Sequence, residues 1–139
     1  MGAISGLIMI TPSAGFIDLP TAFFFGILGA LLCLQALRIK LSEFARHWRW
    51  VDHGDTFATH CLGGILATIS TGCFARKEVA GYDGVTEIVG GVFFDGNVRQ
   101  LGIQIVEALV GFSWSFFGSY VMYALIDCIP GFEVLAEDK

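Results

Sequence analysis

The residue with the most chemistry to offer is His60, set in an apolar run from Asp55 to Ala75. A neutral imidazole both donates and accepts a hydrogen bond, and its charge changes near neutral pH. On a helical wheel at about 100° per residue, Thr56, Gly63, Gly64, Ala67 and Thr71 gather around His60. Leu62, Ile65, Leu66, Ile69 and Cys73 take the opposite side. One face is therefore small, polar and marked by a titratable group, and the other suits lipid or bulky apolar neighbours. Ionisable groups at membrane depth are costly and tend to mark ion or substrate routes. Two readings of His60 stand at this point. It is a buried histidine bonded to a neighbouring helix, or it lines a polar pathway. The small residues beside it fit close helix contact and a narrow lumen equally well. Asp55 occupies an N-cap position, where a carboxylate accepts backbone amides and complements the positive helix end.

A second polar stripe recurs at three-and-four spacing: Gln100, Gln104, Glu107, Gly111, Ser115 and Gly118. Glu107 falls about 15 Å into a helix that begins near Val98. A carboxylate there faces protein or is protonated, which leaves structural pairing and a transport role both open. Asp127 belongs at the interface. Other chemistries find no foothold. His47, His53 and His60 lie six and seven residues apart and not at the spacing of an HxxxH metal pair, and no HExxH, GxSxG or phosphate-cradling P-loop occurs. No catalytic residue, metal site or cofactor is expected. Cys33, Cys61, Cys73 and Cys128 lie within or at the ends of apolar runs without a CxxC pair, so they read as small packing residues.

The elements that position these residues follow from composition. Of 139 residues, 55% are hydrophobic and 15% charged, with a mean hydropathy of +0.70. Soluble domains carry roughly 25% charged residues, so this chain cannot clothe a globule in a solvated surface. It is too apolar for a disordered chain. A net charge of -5 with no basic run argues against binding nucleic acid. Apolar runs fall at 2–12, 19–37, 55–75 and 98–129, against the roughly 20 residues a membrane crossing needs. Thr11-Pro12 stops the first run, and Pro130-Gly131 stops the last. Pro20 sits in the first turn of the second, where a missing amide costs no bond.

Arg38, Lys40, Arg46 and Arg49 lie between the second and third runs, against three basic residues mixed with acids in the segment from Arg76 to Arg99. Basic residues mark the cytoplasmic side, so loop 38–54 is expected in the cytoplasm, loop 76–97 outside and the C-terminus inside. The first run lacks a basic flank, which argues against a cleaved signal peptide. One functional alternative is a small membrane interaction protein whose polar stripes serve helix association. An intramembrane enzyme would need a nucleophile–base or paired-aspartate arrangement, and none is located.

Four segments together resemble the ammonium transporter family (Amt/Mep/Rh). Gly2–Gly15 is similar to the end of its eighth helix, and Asp55–His60 with Gly63-Gly64-Ile65 and Thr71-Gly72 to its tenth. Gln100–Gln104 and Ile126–Gly131 are similar to the start and end of its eleventh. The match runs in order over essentially the whole chain, and Tyr82–Gly91 resembles a fungal-type member. The resemblance implies an all-α, polytopic membrane protein: three full transmembrane helices plus one truncated helix, the C-terminal portion of an eleven-helix fold. It implies ammonium or ammonia as substrate, the lipid bilayer as surroundings, a homotrimeric whole and a multi-pass location in the plasma membrane. His60 then corresponds to the second of twin pore histidines, Thr56 lines the pore one turn earlier, and Thr11 lies near the conduction path. Asp55, Gly63 and Gly64 support the structure around them.

In that family ammonium is captured at an outer aromatic vestibule and deprotonated, and ammonia then crosses an apolar lumen along the histidines. A bare cation resists desolvation there, whereas a neutral molecule passes and bonds to imidazole. Cys61, where the family has glycine, and His53-Gly54 before the aspartate depart from the pattern. The first twin histidine, the vestibule and the phenylalanine gate belong to earlier helices, and the regulatory tail ends at Glu137-Asp138-Lys139. The chain is accordingly expected to form one wall of a pore and not to conduct alone.

Overall fold

The chain opens on two apolar helices joined at a proline. In the computed structural model, which describes residues 2–47, 52, 54–80, 84–85 and 89–129, every regular element is helical. Helix α1 (Gly2–Ile10) passes into a 3-10 turn over Thr11–Ser13 that holds Pro12. Helix α2 (Leu19–Ala36) starts where the Asp18 carboxylate accepts the Thr21 amide at 3.2 Å, and it tightens into a 3-10 segment over Leu37–Leu41. After the short α3 (Glu43–His47), a π-turn over Phe57–Leu62 leads directly into α4 (Gly63–Phe74). Two short helices, α5 (Lys77–Ala80) and α6 (Val92–Asp95), precede α7 (Val98–Asp127).

Leu19–Leu41, Phe57–Phe74 and Val98–Asp127 are long and apolar enough to cross a membrane, whereas Gly2–Ser13 is shorter. At 1.5 Å per residue that first segment reaches about 18 Å, well short of a core of about 30 Å. His53, Arg49, half of the Tyr82–Gly91 loop, the Pro130-Gly131 stop and the tail at Glu137 lie outside the described residues.

Two compact units divide the chain at Ala108. Within the first, α1 and α4 run in the same direction, since Gly63 lies beside Ile8 and Thr71 beside Ser13. Helix α2 runs against both. Its end meets the start of the π-turn through Lys40 and Asp55, and its beginning meets the end of α4 through Asp18 and Arg76. Lipid gives apolar faces little reason to associate, so helices in membranes rely on close backbone approach. The α1–α2 crossing is built that way. A Cβ on Gly29 would sit 2.6 Å from the Met9 Cβ and 2.9 Å from the Ser5 carbonyl oxygen. Met9, Ile17, Phe25 and Ala67 form the core, with Phe74 edge-on to Phe25 at 5.2 Å. At a further close approach, a Cβ on Gly72 would lie 2.9 Å from the Leu101 Cα of α7.

One buried polar pair ties the first 3-10 turn to α4. The Thr71 hydroxyl reaches the Ala67 carbonyl at 3.0 Å and the Ser13 hydroxyl at 2.7 Å. A hydroxyl has one proton, so with Thr71 donating to Ala67, Ser13 donates to Thr71. Ser13→Ala is expected to cost about 1–2 kcal/mol, the worth of a buried hydrogen bond whose partner is left short. Thermal unfolding in detergent checks this, and a melting temperature equal to that of the unaltered chain would contradict it.

At the opposite end from Lys40, Arg76 gathers the helix termini. Its amide donates to the Phe16 carbonyl at 2.7 Å, its guanidinium contacts Asp18 at 3.3 Å, and it lies 3.6 Å over the Phe94 ring. The Asp18 carboxyl is held below its ordinary value, first by its hydrogen bond with Thr21 and, less strongly, by the Arg76 charge, against a partial rise from burial. A depressed folded value means that the contribution is complete above the ordinary value of 3.8 and is lost as pH falls through the lower folded one. Acid titration followed by far-UV circular dichroism should therefore show a destabilising step below 3.8 that Asp18→Asn removes. An identical acid limb in both would contradict this assignment.

The second unit contains α7 from Leu109 onward, where nearly every described side chain is exposed, among them Trp114, Phe116, Phe117, Tyr120 and Met122. Such a surface is apolar on every side and suits lipid or other helices rather than water.

Candidate functional site

The site begins with two aspartates. Asp55 was expected to cap the helix that carries His60, yet the cap is Asp52. Its carboxylate accepts the Thr56 amide at 2.9 Å and the Phe57 amide at 3.1 Å. The reason is the Asp55 backbone, which sits at φ +53°. A capping residue needs extended angles, whereas left-handed angles are ones that aspartate tolerates better than most residues. Asp55 serves differently. Its carboxylate pairs with Lys40, and its carbonyl accepts both the Thr59 amide at 3.0 Å and the Thr59 hydroxyl at 2.8 Å.

Beyond Asp55 the helix is not uniform, and this overturns the simple wheel. A π-turn holds one residue more than an α-turn, so it rotates the segment before it against the segment after it by about 100°. Ala67 and Thr71, expected on the histidine's face, are 0% and 5% exposed. Thr56 and His60 are exposed. Their immediate neighbours Ala58 and Thr59 turn inward and are buried. Within this chain His60 is thus no core histidine. It stands out from the packed face with Thr56 at the preceding turn.

The other expected site residues separate from this pair. Thr11 is exposed and donates its hydroxyl proton to the Leu7 carbonyl at 2.7 Å, so its oxygen is left only as an acceptor. With Ile8 beside Gly63 and Ser13 beside Thr71, Thr11 lies further along the helix axis than His60. A Cβ on Gly63 would meet the Ile8 Cγ2 at 3.4 Å, and one on Gly64 would meet nothing within 4 Å. Glu107 is exposed, and Gln104 is half-buried beside Gly72. Among the described residues no group of three His, Cys, Asp or Glu is placed to hold a metal ion.

The sequence reading missed the cap at Asp52, the tie at Arg76, and the close approaches at Gly29, Gly72 and Gly91. A signal for the first was present, since Asp52 and Asp55 are both in reach of the helix start. The π-turn has no signature at that level, because wheel arithmetic assumes one spacing throughout.

These features define a multi-pass helical membrane protein with a titratable side chain held off its packed face. Residues 1–139 match the Ammonium Transporter Family from end to end. The chain belongs to that family, which is one of transporters and not of enzymes. It is 32% identical over 133 residues to ammonium transporter 2 of Schizosaccharomyces pombe, covering 93% of this chain and 25% of that protein. Identity to ammonium transporter 3 of the same yeast is 34% over 136 residues, again 25% of the relative and 97% of this chain. Among solved structures, Candida albicans Mep2 superposes with a TM-score of 0.84 at 34% identity, over 99% of this chain and 29% of that one. Saccharomyces cerevisiae Mep2 gives 0.82 at 25% identity, over 97% and 29%. The chain thus spans about a quarter of the length of these yeast relatives.

Proposed function

We propose that this chain supplies one wall of an ammonium-conducting pore, corresponding to the end of the eighth helix through the eleventh of the family fold. The observation that carries this is the exposed His60, in a chain whose whole length matches a transporter family. In this reading His60 is one of two paired pore histidines and hydrogen-bonds ammonia as it passes. Thr56 lines the wall one turn earlier on the same exposed side. Thr11, left with acceptor lone pairs only, suits a species rich in N–H donors further along the path. Asp55 fixes the start of the histidine's helix through Lys40 and Thr59, and Gly63 lets α4 approach Ile8 of α1. Gly64 keeps the adjoining surface clear.

The α2 end with Arg38, Lys40 and Arg46 faces the cytoplasm, by the excess of basic residues. Loop 76–97 then lies outside, the C-terminus inside, and the whole protein is a homotrimer in the plasma membrane. The close approach of Gly29 on α2 to Met9 and Ser5 of α1 supports helix association within such a transporter. A single histidine wall encloses no lumen, so the chain alone does not conduct. Cells that lack ammonium uptake should stay deficient when they express it by itself. They should recover when it replaces the corresponding segment of a fungal relative. Uptake by the chain alone, or a correctly assembled chimera that stays inactive, would contradict the reading.

A further inference from the structure

The proposed pathway uses the orientation of His60 without explaining it. In an uninterrupted α-helix His60 would stand within about 20° of Ala67, seven residues on. Ala67 is fully buried and His60 is exposed, and the π-turn over Phe57–Leu62 lies between them. We propose that this extra residue is the device that holds His60 off the packed face, and that Thr59 is the positioning residue that fixes where it is absorbed.

Thr59 is 2% exposed, and its amide and hydroxyl both donate to the Asp55 carbonyl. Two donors occupy both lone pairs of one oxygen and lock the first turn at α spacing. A threonine bonded back in this way also bends a helix. Downstream, α4 is pinned by Gly63 against Ile8 and by Thr71 against Ser13. Both ends are therefore fixed, and the surplus residue is taken up between them, at the level of His60. Single π-turns inside α-helices are often found at functional sites. The functional consequence rests on the reading of His60 as a pathway residue, and the geometry does not.

The test follows the reaction of single cysteine reporters with N-ethylmaleimide in the detergent-solubilised protein. Cys33, Cys61, Cys73 and Cys128 are first replaced by alanine. One reporter is His60→Cys, and a separate one, Thr71→Cys, reads whether the packed face has opened. Deleting Ala58 removes the surplus residue and is expected to slow the His60→Cys reporter about fivefold or more, since an α-turn carries it toward the buried face. The Thr71→Cys reporter should stay slow. If the deletion opens the packed face, Thr59→Val and Thr59→Ser decide. Valine keeps the shape without the hydroxyl and should slow the His60→Cys reporter about threefold, whereas serine should leave it unchanged. An unchanged His60→Cys rate in a deletion variant with its packed face closed, or in Thr59→Val, overturns the proposal. Uptake by the chimera then separates the two claims. Loss with Thr59→Val and recovery with Thr59→Ser supports positioning. Uptake that survives His60→Ala removes the pathway reading, while the maleimide rates continue to judge the geometry.

Discussion

Replacing His60 with alanine in the chimera is expected to lower ammonium uptake about tenfold or more, at equal protein in the membrane. The size follows from what the side chain offers. Ammonia in an apolar lumen has lost its water partners, and an imidazole nitrogen restores one hydrogen bond. A bond in such surroundings is worth about 1.5 kcal/mol, or close to a factor of ten in rate when it is missing at the barrier. Assembly should not suffer, because His60 projects away from the buried face of its own chain. Uptake measured beside surface labelling of the protein separates the two effects. A variant that is made normally and transports normally would remove His60 from the pathway.

The second large effect is structural and falls on Gly91. A Cβ there would lie 2.6 Å from the Cys73 carbonyl oxygen, 2.7 Å from the Cys73 carbonyl carbon and 2.7 Å from the Gly72 carbonyl oxygen. All three are backbone atoms at the end of α4, and none can swing aside as a side chain would. The Gly91 backbone is extended, at φ -83° and ψ -174°, which alanine adopts freely. The cost of Gly91→Ala is therefore collision alone, about 3 kcal/mol at the upper end for overpacking. It also strains the 2.8 Å bond from the Gly91 amide to the Ala75 carbonyl. Gly64→Ala is the natural contrast. It meets open space in mid-helix, and replacing a helical glycine there should gain about 0.5–1 kcal/mol. Melting temperatures in detergent should fall for Gly91→Ala and hold or rise for Gly64→Ala. The reverse order would contradict the close approach.

Much of the architecture was legible because lipid imposes a simple rule on sequence. A helix that crosses the membrane must be apolar for its whole length, so the runs after Asp18 and Val98 and around His60 declared themselves without any knowledge of packing. Pro12 and Pro20 marked helix boundaries for equally local reasons. The family resemblance was legible too, since four motifs fell in the right order along one chain.

What could not be read was set by contacts between helices. Asp52 and Asp55 are equally plausible caps by spacing, and only the left-handed backbone at Asp55, drawn toward Lys40 and Thr59, decides between them. The wheel placed Ala67 and Thr71 beside His60 because it assumed one helical pitch. The π-turn breaks that pitch, and nothing in the letters from Phe57 to Leu62 announces it. The same holds for the glycines. Gly63 and Gly64 stand out as neighbours of the histidine, whereas at Gly29, Gly72 and Gly91 a second helix or its terminus crosses closely enough that a Cβ would collide. Arg76 looked like one more loop charge. It proves to gather Phe16, Asp18 and Phe94 into one cluster at the helix ends.

Joined to the rest of a family member, these residues are expected to complete an ammonium pathway. The most direct measurement is ammonium flux into liposomes that contain the purified chimera, in which this chain replaces the corresponding segment of a fungal relative. Flux well above that of empty liposomes is expected, with a large loss of it in the His60→Ala form. A chimera that assembles as a trimer yet moves no ammonium, or one whose flux is indifferent to His60, would contradict it.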